Sequence, residues 1–78
     1  MEQEITPGIY QHYKGKLYRV LGVGHHSESL EKMVVYQAQY TSPDFGEGAL
    51  WIRPLTLFLQ TVEVDGKHVP RFQRVAEE

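Results

Sequence analysis

The 78-residue chain contains no cysteine. A disulfide framework, a thiolate zinc site and a cysteine nucleophile are thereby excluded. No apolar run approaches the roughly 20 residues needed to cross a bilayer as a helix. An excess of charge of one sign is missing as well: eight Lys and Arg against ten Asp and Glu leave a formal net charge of -2. That balance excludes a nucleic-acid surface built from bulk basic charge, and also an acidic disordered tail. The N-terminal Met1-Glu2-Gln3-Glu4 is acidic and polar, the reverse of a signal peptide's basic start and apolar middle, so a cytoplasmic location is expected. With no internal repeat, low-complexity segment or linker, residues 1–78 read as one domain with an ordered core of about 7–75. A chain of this length buries only roughly 60% of the surface its unfolded form exposes, so that core is small.

Aromatic residues are what the chain does have, at 12%. Most of them sit among Val, Leu and Ile in short runs separated by Gly, Pro or Asp, which is strand punctuation. Ile9 to Tyr13 and Leu17 to Val23 flank Lys14-Gly15. Two registers are open for this hairpin. A three-residue loop with Gly15 in the left-handed region sets Tyr10 and His12 on one face with Tyr18 and Val20, whereas a two-residue loop sets them with Leu17 and Arg19. The first is preferred because it gathers the larger apolar groups. Gly24 to Lys32 reads as a polar loop. Met33 to Tyr40 is the clearest strand, with Val34, Tyr36, Ala38 and Tyr40 alternating with polar residues. Thr41 to Gly48 is a loop dense in turn formers, and Ala49 to Arg53 a short strand stopped by Pro54. Residues 54–60 read as one short helical turn opened by Pro54. Asp65-Gly66 between Val62–Val64 and Lys67–Val69 signals a type I′ hairpin, which Pro70 confines to an edge. Phe72 and Val75 offer one further short strand beyond these six. The fold class expected is mainly β: a small antiparallel barrel or strongly coiled sheet, SH3-like, built from six strands.

A meander of this kind sets His25, His26, Ser27 and Glu28 at the same end of the sheet as Arg53 and Pro54. The 41–48 loop falls at the other end, beside the Lys14-Gly15 turn. Polar groups converging from separate elements make a better site than any one of them alone.

Tyr10-Gln11-His12-Tyr13-Lys14-Gly15, His26-Ser27-Glu28, Val35-Tyr36, Leu50-Trp51-Ile52-Arg53-Pro54 and Phe58 occur in an order that resembles a small bacterial family catalogued as domain of unknown function 1653. Val62-Glu63-Val64-Asp65-Gly66 and Pro70-Arg71-Phe72 fit the same pattern. The resemblance covers roughly residues 7–74. It implies a bacterial cytoplasmic domain and brings no activity, substrate or cofactor with it. The Thr41–Gly48 loop departs from the pattern by its greater length.

Each chemistry-bearing group also has a plainer role. His25, His26 and Glu28 are metal-ligand types, but neighbours on an extended strand point to opposite faces. Their spacing is not that of a helical zinc pair either, so no metal or cofactor is assigned. His26-Ser27-Glu28 holds the residue types of a hydrolytic triad, but consecutive positions cannot reproduce its geometry; no catalytic residue is assigned. A plainer role pairs Glu28 with Arg53 across the sheet end. The reading favoured is a non-enzymatic binding module with His26, Ser27, Glu28, Trp51 and Arg53 as ligand-binding candidates. In it Arg53 donates to an anion or carboxylate, His26 hydrogen-bonds and Trp51 is the packing or stacking platform. The expected partner is a protein or a small anionic ligand, not a membrane. The alternative is a nucleic-acid-associated barrel using Tyr10, Tyr13, Tyr36, Tyr40 and Trp51 with nearby Lys and Arg. The run Leu55–Leu59 either plugs an open barrel end or meets a partner, including a weakly bound second copy.

Overall fold

The computed structural model describes residues 5–77; the acidic Met1-Glu2-Gln3-Glu4 segment and Glu78 lie outside them. The fold is mainly β. The first hairpin joins β1 (Gly8–His12) to β2 (Leu17–His25), with Tyr10 opposite Tyr18 and Gly8 opposite Val20. The register that collects the aromatic groups is therefore the one adopted. Its turn is closed by Gly15 N–H donating to His12 O (2.7 Å) and His12 N–H to Lys16 O (2.8 Å). Gly15 sits at φ +108, where a side chain would be strained, and so supplies the bulge that a three-residue loop needs.

β2 runs to His25 and β3 (Lys32–Ala38) begins at Lys32, so the polar loop is shorter than its composition suggests. Cross-strand pairing from Gly24–Met33 to His25–Lys32 holds these polar residues in the ladder. Tyr40 falls beyond the end of β3. Within residues 41–48, β4 (Thr41–Ser42) pairs with β5 (Gly46–Glu47) as a small hairpin. Ser42 Oγ accepts from Asp44 N–H (3.2 Å) and Phe45 N–H (3.3 Å) across its tip.

β6 (Leu50–Pro54) leads directly into α1 (Leu55–Phe58). Pro54 stands at the entrance to this single turn, where a fixed φ and a missing N–H cost nothing. Leu55 and Phe58 are buried, while Leu57 and Leu59 stay partly exposed. The apolar run is thus split between plugging the core and facing outward. β7 (Thr61–Val64) and β8 (Lys67–Pro70) pair only with each other. Asp65 and Gly66 have φ +52 and +78, the two positive values of a type I′ turn. β9 (Phe72–Ala76) closes the chain by pairing with β1.

Among the described residues nine strands stand where six were expected: β4 and β5 arise within the 41–48 loop, where composition does not reveal them, and Phe72–Ala76 adds the last strand. Five of them form one sheet in the order β6-β3-β2-β1-β9. No ladder joins β6 to β9 among the described residues, so hydrogen bonding leaves this sheet open. Its inner face carries Tyr10, Val20, Val34 and Tyr36, on which Leu55, Phe58 and Phe72 pack. Phe58 and Phe72 stack at 4.1 Å between centroids and 4° between planes. Tyr10 and Tyr36 meet Phe58 edge-on at 5.6 and 5.3 Å. Such edge-to-face and offset contacts each add about 0.5–1.5 kcal/mol beyond area burial. The core is therefore chiefly aromatic.

Candidate functional site

Alternation along β6 separates its side chains cleanly. Trp51 pairs with Tyr36 and Arg53 with Val34; since Tyr36 and Val34 are buried, Trp51 and Arg53 belong to the inner face. Leu50 and Ile52 stand on the outer one and are both 64% exposed. β9 lies at the far edge of the same sheet, yet the Arg53 guanidinium carbon is only 5.5 Å from the centroid of the Phe72 ring. The sheet curls until its two edges meet through side chains rather than through backbone hydrogen bonds. The meeting leaves a half-open cleft of about 170 Å³, lined by His12, Tyr18, Tyr36, Trp51, Arg53 and Phe72.

The polar groups of this cleft are mostly donors. Arg53 has no carboxylate partner among the described residues. His12 Nδ1 accepts from Lys14 N–H at 3.1 Å, which places the proton of a neutral ring on Nε2. Burial holds the His12 pKa below its usual 6.5, and the positive charges of Arg71, Arg53 and Lys14 push it the same way. The ring meets Phe72 edge-on at 4.9 Å. The Trp51 indole N–H is shielded from solvent without a hydrogen-bond acceptor, and Phe45 from the 41–48 hairpin packs edge-on against the indole at 5.1 Å. Tyr18 and Tyr40 join their hydroxyls at 2.7 Å. Burial first, then that hydrogen bond, pushes the Tyr18 pKa well above the usual tyrosine range, so Tyr18 stays a neutral wall.

The histidine loop is organised in the opposite way. His26 Nδ1 accepts from the backbone N–H of Glu28 (3.1 Å) and of Ser29 (3.3 Å). Ser27 Oγ donates to the Glu28 carboxylate, whose Oε2 lies 3.6 Å from His26 Nδ1. Ser29 Oγ accepts from Glu31 N–H (3.2 Å). Two backbone bonds, His26 N–H to Glu31 O and Leu30 N–H to His26 O, both 2.8 Å, close the turn. These polar groups satisfy their own loop, as short polar side chains commonly do.

The Gly24–Met33–Pro54 row confirms that the histidine loop and the end of β6 share one end of the sheet. It does not bring Glu28 to Arg53. The pairing of these two across the sheet end is not formed, because Arg53 turns inward over Phe72 while Glu28 bonds within its own turn. Of the five candidates, Trp51 and Arg53 come together, and His26, Ser27 and Glu28 remain outside the pocket. Among the described residues no group of three or more His, Asp or Glu side chains gathers as metal ligands do. Likewise, no helix there is long and apolar enough to cross a membrane.

Two larger clefts carry less chemistry. One of about 400 Å³ lies against residues 37–41 and 47–48, where Gln37 Nε2 already donates to Gly48 O at 3.1 Å. Another of about 330 Å³ lies between the first turn and the β7–β8 hairpin, beside Tyr13, Val64, Val69 and Pro70. Neither contains an unpaired cation.

The match of a protein-family model over residues 8–74 decides the kinship; the model is described as protein of unknown function, DUF1653. The chain belongs to the DUF1653 family. A crystal structure of a DUF1653 protein from Bordetella bronchiseptica is 32% identical, with a TM-score of 0.86 over 100% of this chain and 96% of that one. No curated protein matches the chain. Within the DUF1653 fold seen here, the pocket residues that sequence reasoning did not join to Arg53 are His12, Tyr18, Tyr36 and Phe72. In the flat meander His12 belongs to the opposite turn. The signal in the sequence was Phe72 itself, a large aromatic residue at the head of a short terminal strand.

Proposed function

We propose that this DUF1653 chain is a non-enzymatic binding module whose site is the inner-face pocket of Trp51 and Arg53, and that the pocket takes an anionic group. One observation carries the reading: a guanidinium set against an aromatic ring inside a half-open cleft, with no carboxylate of its own chain to neutralise it. Partial desolvation of a cation is unfavourable unless a counter-charge or donor–acceptor pairing offsets it. A planar guanidinium offers parallel donors suited to a carboxylate or phosphate. His12, with its proton on Nε2, and the unpaired Trp51 indole add neutral donors. The curl that brings β6 to β9 is what supports a small-barrel, SH3-like description of the domain. His26, Ser27 and Glu28 serve in this reading to shape the loop at the same end of the sheet.

The test is backbone amide shift mapping with acetate, phosphate and benzoate at fixed ionic strength. Shifts are expected at His12, Trp51, Arg53 and Phe72, and Arg53→Gln is expected to weaken them at least tenfold, the order of a lost charge-assisted hydrogen bond. Shifts centred on His26–Glu28, or unchanged in the Arg53→Gln protein, would overturn the assignment. A second reading, single-stranded nucleic acid, is favoured by the exposed Tyr13 flanked by Lys14 and Arg71 at 5.8 and 6.0 Å from its ring centroid. An oligonucleotide titration with no salt dependence, or none at all, discards it.

A further inference from the structure

We infer that the anion taken at Arg53 is the side chain of an acidic residue in an extended peptide, which adds to the free edge of β6 as a further strand. The inference rests on the anion-binding reading above and supplies the class of partner. It begins with the parity of the backbone. Ala38 N–H donates to Ala49 O at 2.8 Å, so this pair is of the hydrogen-bonded kind. Alternation along the antiparallel ladder then turns the N–H and C=O of Leu50 and Ile52 away from β3. β6 stands at one edge of the five-stranded sheet, and among the described residues no backbone group meets this row. Arg53 and Phe72 bridge the two edges by side chains, which leaves the row unanswered. Pro54 ends it, with the missing N–H on the free side, where no ladder bond is lost.

The two edges of the sheet are guarded differently. β9 carries Gln73 and Arg74, and its ladder with β1 is interrupted by a register shift at Ile9 and Tyr10. Charge and irregularity are common defences of an exposed edge. β6 pairs with β3 without a shift and holds Leu50 and Ile52 exposed on its outer face. A regular edge with unpaired backbone groups is a template for strand addition. Main-chain bonds then give affinity, and alternate side chains give selectivity.

Charge decides the occupant. On this edge Trp51 and Arg53 hold the positions between hydrogen-bonded pairs, where facing side chains come closest. A carboxylate opposite Arg53 enters the half-open cleft and meets a guanidinium that no carboxylate of the described residues neutralises. In an antiparallel peptide the next residue lies beside Ile52 on the outer face, and the third lies beside Leu50. Apolar side chains at those two places cover exposed apolar surface. A second copy of β6 brings an arginine and no acidic residue, so it leaves Arg53 unanswered.

The probe is the blocked peptide acetyl-Thr-Glu-Val-Thr-Val-Thr-amide, titrated into the full chain at constant ionic strength. Trp51 is the chain's one tryptophan, so its fluorescence reports affinity, and amide hydrogen exchange reports the backbone. Exchange at the Leu50 and Ile52 N–H groups is expected to slow at least tenfold at saturation, which bound acetate does not achieve. The same peptide with Gln in place of Glu should bind at least tenfold more weakly, the order of a lost charge-assisted hydrogen bond. N-methylation of the valine opposite Ile52 should abolish binding. N-methylation of the glutamate, whose N–H points away from β6, should leave it in place. Acetate shifts at Arg53 without exchange protection by the peptide overturn strand addition and leave the anion pocket standing. Equal binding of the Gln peptide, or equal loss on either N-methylation, overturns the acidic-strand inference. Protection of Leu50 and Ile52 that rises with protein concentration alone gives the edge to a second copy and overturns it too. No response of Trp51 or of the amides around Arg53 to peptide or acetate overturns the anion reading itself. Each outcome is read on the wild-type protein, so none depends on a variant that folds.

Discussion

The histidine loop and the Arg53 pocket both gather imidazole, hydroxyl and charged groups, yet they dispose of their hydrogen bonds in opposite ways. In the loop, His26 Nδ1 and Ser29 Oγ accept from backbone N–H groups two or three residues away, and the Glu28 carboxylate is taken by Ser27. In the pocket, Arg53 lies against a ring from the far edge of the sheet and the Trp51 N–H has no acceptor. A cluster that answers its own polar groups is a structural device. One that leaves donors unanswered on a concave surface is what the proposed binding reading rests on. Sequence proximity favours the first arrangement, because neighbouring residues find each other at little entropic cost.

Substitutions can break this comparison at each of its points. The largest effect is expected at Phe72, which is buried, stacks on Phe58 and forms one wall of the pocket. Phe72→Ala should lower unfolding stability by about 3–5 kcal/mol in a denaturant titration. It should abolish pocket binding as well, because core and site share this ring. A loss under about 1 kcal/mol would mean that the two edges of the sheet do not meet through Phe72.

His26→Ala should act on stability alone. Removing an acceptor of two backbone N–H groups at an exposed turn is expected to cost about 1 kcal/mol, with His26→Asn restoring part of it because a short amide can accept from the same turn. Anion binding at Arg53 should be unaltered. A variant that kept its stability but lost binding would transfer the site to the loop.

The pH dependence of stability sharpens the comparison further. His12 has a folded pKa below its unfolded value of about 6.5, chiefly through burial. The unfolded chain therefore takes up the proton first as pH falls. The stability contributed by neutral His12 is fully present above about 6.5 and is lost as pH falls through the lower folded value. Thermal melts across this window should show wild type losing more than His12→Gln. Curves that stay parallel would show that His12 is not held neutral by its surroundings. The smallest effect belongs to Glu28→Gln, expected within about 0.5 kcal/mol because its contacts are solvent-exposed. A larger change in a melt would restore a role for Glu28 beyond its own turn.

Much of the fold was legible because its signals are local. Lys14-Gly15 marked the turn, and of the two registers it left open the preferred one is what the Tyr10–Tyr18 pairing bears out. Asp65-Gly66 specified the I′ hairpin, and Val34, Tyr36 and Ala38 announced their buried face. The site was legible only in part. Trp51 and Arg53 were readable as candidates on one short strand, and the pairing of β6 with β3 puts both on the inner face. His12 was assigned to the opposite turn, because a flat meander places it there.

The sequence by itself determined the longer strands, the two tight turns and the absence of disulfide or thiolate-metal support, since these follow from residue type and near-neighbour sterics. Tertiary structure alone decided that β9 pairs with β1 and that the sheet curls until Phe72 meets Arg53. Strand twist accumulates across five strands and depends on how Leu55, Phe58 and the tyrosines fill the inner face. No short window of residues contains that sum, and it is the sum that turns an aromatic core into a pocket.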